Sequence, residues 1–324
     1  MQLLVEINTH FRNFWAGFDP AEFFIPMIEG IHESITVVQD ERPADIEFVS
    51  TVIPWPSRAR RLARKVHRNL HARGIVKSAV ARPAQPSASA RASVWFTGEN
   101  IRPPALTDGW DLTLSFDPDS TLSSNVYMPQ WWMLLPELLQ PVVRTHSPEN
   151  RLGRELTISE LSSARVSNVA GRPGFACAIF NNPEPKRLAA VAALQTLGQV
   201  DVFGAYSGRT IPTKDEVLRN YRFCICFEND VHPGYVTEKV FDAWGGGCIP
   251  IWNGWDSQSY LNAAAMINLA QLTGLDELVA IVRELDADSQ RMNQLGGLPI
   301  LAREPSLAGV RQSLGALLQD KGVL

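Results

Sequence analysis

Tyr221-Arg222-Phe223-Cys224-Ile225-Cys226-Phe227 runs into Glu228-Asn229-Asp230-Val231-His232-Pro233-Gly234, and then into Tyr235-Val236-Thr237-Glu238-Lys239-Val240-Phe241-Asp242-Ala243-Trp244, before glycines at 245–247. The opening run is apolar almost throughout, which suits a strand buried on both faces of a parallel sheet. The polar middle, punctuated by Pro233-Gly234, reads as a loop. Thr237 then stands where an N-cap belongs, with Glu238 and Lys239 in the first turn and Val240, Phe241 and Trp244 on one packing face. Glycine ends a helix readily, and Cys248-Ile249-Pro250-Ile251-Trp252 reads as the next strand. Strand, loop and helix in that order put the loop and the helix N-terminus at the carboxyl edge of a sheet, where open α/β sheets bind ligands.

The same alternation extends outward in both directions, as in a series of βα units. In the first half, strands are expected over 3–7, 36–38, 45–49, 94–97 and 111–115, and a helix over 20–33, where Phe23, Phe24, Met27, Ile28 and Ile31 recur at helical spacing. In the second half, strands over 175–179, 199–203, 223–227, 248–252 and 266–269 alternate with helices over 183–197, 213–219, 237–245 and 274–285. A chain of 324 residues exceeds the roughly 250 at which single cores stop growing. Two doubly wound, Rossmann-like domains are therefore expected, residues 1–155 and 156–304, with a C-terminal helix near 305–324 packing back on the first.

Two segments break the rhythm. Residues 58–73 carry Arg58, Arg60, Arg61, Arg64, Arg68 and Arg73 around a stripe of Leu62, Val66 and Leu70. Such a segment is either a crossover helix with a solvated basic face or a helix lying on an anionic membrane surface. Residues 78–93, rich in Ala, Ser and Pro, read as a connector inside the first domain.

A hydrophobic content of 45% with 20% charged residues belongs to a globular protein, and a net charge of −4 gives no reason to expect a nucleic-acid partner. The four cysteines, Cys177, Cys224, Cys226 and Cys248, form no CxxC pair, so no zinc site is expected. Cys224 and Cys226 alternate along a strand as small core residues do. No run approaches the roughly 18 apolar residues of a membrane helix. The opening Met1-Gln2-Leu3-Leu4-Val5-Glu6-Ile7 reads as a strand rather than a secretory signal. A cytoplasmic, reducing setting is the expectation, with contact to an inner membrane through residues 58–73 left open.

A helix N-terminus presents unpaired N–H groups and a partial positive charge, a natural seat for phosphate. Lys239 adds a full cation there. A carboxylate beside a diphosphate would be repelled, but consecutive helical residues point about 100° apart, so Glu238 faces a sugar while Lys239 faces phosphate. Accepting from ribose hydroxyls suits such a carboxylate. Taken singly, a Glu-Lys pair in a first turn is a solvated stabiliser of its helix; the whole string argues for more. Glu228 is either structural, binding backbone amides, or donor-facing.

The string Phe227-Glu228-Asn229, then Tyr235-Val236-Thr237-Glu238-Lys239, resembles the signature of the α-1,3/4-fucosyltransferases, glycosyltransferase family ten, at the same spacing. The continuation through Gly247-Cys248-Ile249-Pro250-Ile251-Trp252-Asn253-Gly254 resembles that family's helix–strand–Gly pattern. Upstream, Val94-Trp95-Phe96-Thr97-Gly98-Glu99-Asn100-Ile101-Arg102-Pro103 resembles its Thr-Gly-Glu-Asn motif, and Lys186-Arg187 its Arg-bearing helix. The resemblance is weak over residues 1–90 and 140–175. It implies a GT-B fold, two Rossmann-like domains facing a cleft, the first for the acceptor and the second for the donor. It implies inverting transfer of L-fucose from GDP-fucose to a hydroxyl of a glycan acceptor containing N-acetylglucosamine or glucose, by a bacterial, anchor-free member.

Within that resemblance Glu99 is the candidate general base on the acceptor hydroxyl, directly after a strand and with Gly98 allowing the turn; taken alone it is a carboxylate capping a turn. Asn100 and Arg102 share its motif on the acceptor side. Donor contacts fall to Arg187, Asn229, Tyr235, Thr237, Glu238 and Lys239. No Asp-x-Asp metal motif is expected, so Lys239 and a bidentate Arg187 neutralise the diphosphate. Arg209 either assists or is a surface residue. No cofactor is required, and a divalent cation is at most an activator. His232-Pro233 and Trp244-Gly245-Gly246 depart from the family's pattern, which puts the donor sugar in question. Two rival readings stand beside this one: a GT-B enzyme using another nucleotide sugar, and a non-catalytic glycan- or nucleotide-binding homologue. A dinucleotide dehydrogenase is disfavoured, because no Gly-x-Gly-x-x-Gly follows the first strand.

Overall fold

A computed structural model describes residues 4–14, 19–50, 85–97, 109–118, 124–139 and 152–324. The basic segment 58–73 lies outside these residues, as do Glu99, Asn100 and Arg102. The chain divides into two units. One comprises Met1–Ser115, Ser120–Val126 and Ala308–Leu324; the other comprises Phe116–Asp119 and Tyr127–Leu307. The division at 155 expected from the sequence is thus replaced by one at Tyr127. The cause is the aromatic 3-10 turn Gln130–Leu134, whose Trp131 stacks on Phe241 of the second unit with ring centroids 4.7 Å apart.

The first unit is built on strands β1 (Val5–Arg12), β2 (Ile35–Val38), β3 (Ile46–Ser50), β4 (Ala92–Phe96), β5 (Leu112–Ser115) and β6 (Asn125–Tyr127). They lie in the order β2-β1-β3-β4-β5-β6, and the pairs from β2 through β5 are parallel. β1 continues to Arg12, beyond the expected residue 7, pairing with β3 from Thr9 to Arg12. Asn8 Nδ2 donates to Asp40 Oδ1 and to the Arg42 carbonyl, each at 2.9 Å, so its burial carries no unpaired amide. The helix Ala21–Glu29 buries Phe23, Phe24, Met27 and Ile28, and Phe24 stacks on Phe48 at 4.6 Å. The C-terminal helix Ala308–Asp320 packs against that helix and β5 within the same unit.

The second unit carries β7 (Gly174–Ile179), β8 (Val200–Phe203), β9 (Tyr221–Ile225), β10 (Ile249–Trp252) and β11 (Ile267–Asn268) in the order β11-β10-β9-β7-β8, all parallel. Side chains alternate across the buried β9. Phe223 and Ile225 join Ala190, Val191 and Leu194 of the helix Pro185–Leu194, and Leu278, Val282 and Leu285 of Leu275–Asp286, in one core. Burying each large apolar side chain there stabilises the fold by about 1.5–3 kcal/mol. Cys224 alternates to the other side, beside Cys177 and Cys248, and Cys248 Sγ donates to the Leu218 carbonyl at 3.1 Å. All four cysteines are buried and unbridged, and burial pushes the Cys177 thiol well up.

The order of the second sheet decides where its crevice lies. The chain leaves β7 for β8 on one side and returns to β9 on the other. The loops following β7 and β9 therefore diverge at their carboxyl ends, which is the topological switch point of a doubly wound sheet.

The close packing of β7 on β9 supplies a test. A Cβ at Gly174 would stand 2.5 Å from the Tyr221 ring and 2.8 Å from the Asn220 carbonyl oxygen, and the latter cannot give way by rotating. Gly174→Ala is expected to lower unfolding stability by about 1–3 kcal/mol in urea titrations while leaving the far-ultraviolet signature of the fold.

Candidate functional site

Glu228 sits directly beyond β9, buried, and its carboxylate is fully engaged. Oε1 accepts from the Thr237 amide at 2.9 Å and from Trp252 Nε1 at 3.3 Å; Oε2 accepts from Thr237 Oγ1 at 2.7 Å and Lys239 Nζ at 3.1 Å. All four contacts are within the protein, as a structural carboxylate's would be. Glu228 pulls the start of the next helix down onto the strand end. Thr237 is correspondingly no N-cap: its hydroxyl is spent on Glu228, and the helix runs Lys239–Gly245 with Glu238 at the capping position and no side-chain cap.

Lys239 is held by this carboxylate and by Thr237 Oγ1, at 2.8 Å, with 23% of its side chain still exposed. Burial alone would lower its pKa, but Glu228 and Glu238 outweigh it and the ammonium is held well above its ordinary value. The charge is thus permanent at neutral pH and fixed in position.

Arg187 crosses the switch point. It springs from the helix after β7, and its Nη2 donates to the Phe227 carbonyl at 2.9 Å and to Asn229 Oδ1 at 2.8 Å, on the β9 side. Nη1 donates to the Asn182 carbonyl at 3.2 Å. Burial lowers its pKa, offset in part by Glu184, Glu228, Tyr235 and Glu238. Asn229 Nδ2 donates to Tyr235 Oη at 3.5 Å, and Tyr235 is buried against Phe116 with centroids 4.9 Å apart. The loop between them passes Gly234, at φ +77°, where a Cβ would meet the Phe116 carbonyl oxygen at 2.2 Å. Only glycine fits that approach.

Five of the seven donor residues read from sequence are therefore joined by hydrogen bonds or charge: Arg187, Asn229, Tyr235, Thr237 and Lys239. Glu238 joins them electrostatically, 3.9 Å from Lys214 Nζ and felt by both Arg187 and Lys239. Arg209 is placed differently. It is half-exposed, pairs with Asp201 at 2.8 Å and lies over the Phe203 ring. Lys214 and Asp242, which bond to each other beside Glu238, were not among the residues singled out. In sequence Lys214 is one charge among several in a short helix, and nothing there marks it as buried.

Two Asp-x-Asp spacings occur outside the string, at 117–119 and 286–288. In the second, Asp286 accepts from Arg222 and Asp288 caps the helix Ser289–Gly296. Among the described residues, no three His, Cys, Asp or Glu side chains are grouped to hold a metal ion. In the first unit, an open hollow of about 600 Å³ at the carboxyl ends of β1 and β2 is lined by His10, Phe11, Arg12, Asp40 and Glu47 among others.

Residues 171–295, the body of the second unit, match the family model of glycosyltransferase family 10 (fucosyltransferase) C-term. The 4-galactosyl-N-acetylglucosaminide 3-alpha-L-fucosyltransferase FUT6 of Pan troglodytes is 30% identical over 222 residues, 64% of this chain and 54% of the relative. The alpha-(1,3)-fucosyltransferase FucT of Helicobacter pylori is 28% identical over 212 residues, 59% of this chain and 44% of the relative. The chain thus spans about half the length of the curated relatives it matches. A crystal structure of an alpha1,3-fucosyltransferase superposes with a TM-score of 0.64 at 21% identity, covering 97% of this chain and 90% of that one. A structure of alpha1,3-fucosyltransferase with GDP-fucose superposes at 0.62 and 20% identity, with the same coverage of both chains. The fold is accordingly the GT-B fold of those enzymes.

The buried carboxylate yields a second test. Glu228→Gln keeps the shape but removes the carboxylate bonded to Lys239, and is expected to cost about 2–4 kcal/mol in urea unfolding. Lys239→Met should cost less in that background than in the wild type, since the partner is already gone; equal costs in both would show the pair uncoupled.

Proposed function

We propose that this protein is an inverting glycosyltransferase that moves L-fucose from GDP-fucose to a hydroxyl of a glycan acceptor containing N-acetylglucosamine or glucose. The observation that carries this reading is the constellation at the switch point of the second sheet: Arg187 bridging to Asn229, with Lys239 and Glu238 beside it. Two fixed cations next to a carboxylate suit a sugar nucleotide, whose diphosphate needs positive charge and whose ribose needs an acceptor. The match of residues 171–295 to the fucosyltransferase family supports the choice of sugar and nucleotide.

In this reading the second unit holds the donor. Lys239 and Arg187 take the diphosphate oxygens and stabilise the charge that builds on them as the bond to the sugar breaks. Glu238 accepts from the ribose, while Asn229, Tyr235 and Thr237 shape the loop around the donor. The acceptor belongs to the first unit, whose Glu99 removes the proton from the attacking hydroxyl as that oxygen bonds to the anomeric carbon from the face opposite GDP. Asn100 and Arg102 follow Glu99 in the same motif. The charged side chains of the hollow near His10 and Glu47 are chemically suited to sugar hydroxyls. Because the diphosphate is neutralised by side chains, the reaction needs no resident metal, and Arg209, paired with Asp201, is assigned no part in it.

A cytoplasmic setting is part of the same proposal. It is supported by four buried, unbridged thiols, which suit a reducing compartment. No helix among the described residues is long and apolar enough to cross a membrane.

Nucleotide release measured over a panel of GDP- and UDP-sugars with mixed glycan acceptors is expected to show turnover with GDP-fucose that survives EDTA. Turnover with another sugar nucleotide alone would replace the donor. Glu99→Gln should lower kcat on the order of 10²–10⁴-fold with donor binding intact; an unchanged rate would remove Glu99 from the chemistry.

A further inference from the structure

Glu238 and Asp242 stand four residues apart on one helical face, and the Asp242 amide donates to the Glu238 carbonyl at 2.8 Å. Like charges at that spacing repel and splay. Lys214, the first residue of the helix Lys214–Leu218, resolves the conflict from the neighbouring element. Its ammonium bonds Asp242 Oδ2 and lies 3.9 Å from Glu238 Oε1. Side-chain exposure is graded across the three: 8% for Asp242, 15% for Lys214 and 23% for Glu238. The charge therefore passes outward from the buried Asp242 carboxylate, through a nearly buried ammonium, to the more exposed carboxylate of Glu238.

We propose that Lys214 is a positioning residue for the donor: held by Asp242, it fixes the Glu238 carboxylate where it accepts the ribose hydroxyls. The proposal rests on the donor reading given above. The Lys214 ammonium is engaged by Asp242, and the nearby cation Lys239 is held by Glu228 on the other side of the helix start. Burial would lower the pKa of Lys214, but Asp242 and Glu238 outweigh it and the ammonium stays charged. Without it, Glu238 would be repelled by Asp242 and drawn toward Lys239, into the space the diphosphate needs.

The test is the discrimination of GDP from 2′-deoxy-GDP, titrated by calorimetry into wild type, Glu238→Gln, Lys214→Met, Lys214→Arg and Lys214→Met/Asp242→Asn. Wild type is expected to prefer GDP by about tenfold or more, the value of a hydrogen bond to a charged group. Lys214→Met and Glu238→Gln should both bring the ratio close to one, and Lys214→Arg should restore it. The double variant removes the unpaired buried carboxylate, so it should fold normally and still fail to discriminate. A double variant with wild-type discrimination would overturn the proposal, leaving Lys214 as mere neutraliser of Asp242. Failure of both methionine variants to fold would overturn it too, making Lys214 a residue of the fold rather than of the site. Wild type that binds neither nucleotide would refute the donor reading itself. Wild type that binds both equally would refute the ribose role of Glu238, and this proposal with it.

Discussion

A single carboxylate, buried at the end of the central strand of the second sheet, organises everything around it. An ionised Glu in such a place is tolerable only if every oxygen is met by a donor. Glu228 collects an amide, a hydroxyl, an indole and an ammonium. Those four donors come from the loop–helix junction and the neighbouring strand β10, so satisfying one side chain fixes the junction of three elements. Lys239 gains its position as a by-product: a flexible ammonium becomes an anchored charge. Preorganised charge of this kind needs no rearrangement when negative charge develops opposite it, which is how a protein stabilises a leaving diphosphate.

Much of the second unit was legible in the sequence because its strands are apolar runs bounded by clear breaks. The strand expected over 223–227 runs Tyr221–Ile225 and the helix expected over 237–245 runs Lys239–Gly245, so both lie within two residues of where the pattern placed them. The error at Thr237 has a physical reason: the residue looked like a cap because a hydroxyl stands before a helix, but the buried Glu228 is the stronger acceptor and claims it. The first unit was harder to read. Asn8, Thr9, Glu47, Ser93 and Thr113 are polar yet buried on its strands, and a polar residue inside a sheet erases the alternation that marks one. The short strand Asn125–Tyr127 and the 3-10 turns after it have no period to detect, so the first unit was expected to run about thirty residues too far.

The candidate site divides along a similar line. Residues inside the string were found because the string is dense with charge between apolar flanks. Arg187 was found through a second motif, and its contact with Asn229 joins the two halves of the reading across the switch point. Lys214 was missed because burial, not identity, is what distinguishes it, and burial of a lysine is a property of the assembled helices alone.

The first unit is discontinuous: its last helix, Ala308–Asp320, follows the whole of the second unit in the chain. A ribosome delivers the polypeptide from one end, and domains fold as they emerge. The second unit can complete its sheet while the first still waits for the helix that packs on Ala21–Glu29 and β5. Through most of its synthesis the first unit therefore exposes an apolar face that chaperones would recognise, and the half proposed to bind nucleotide matures before the half proposed to bind glycan.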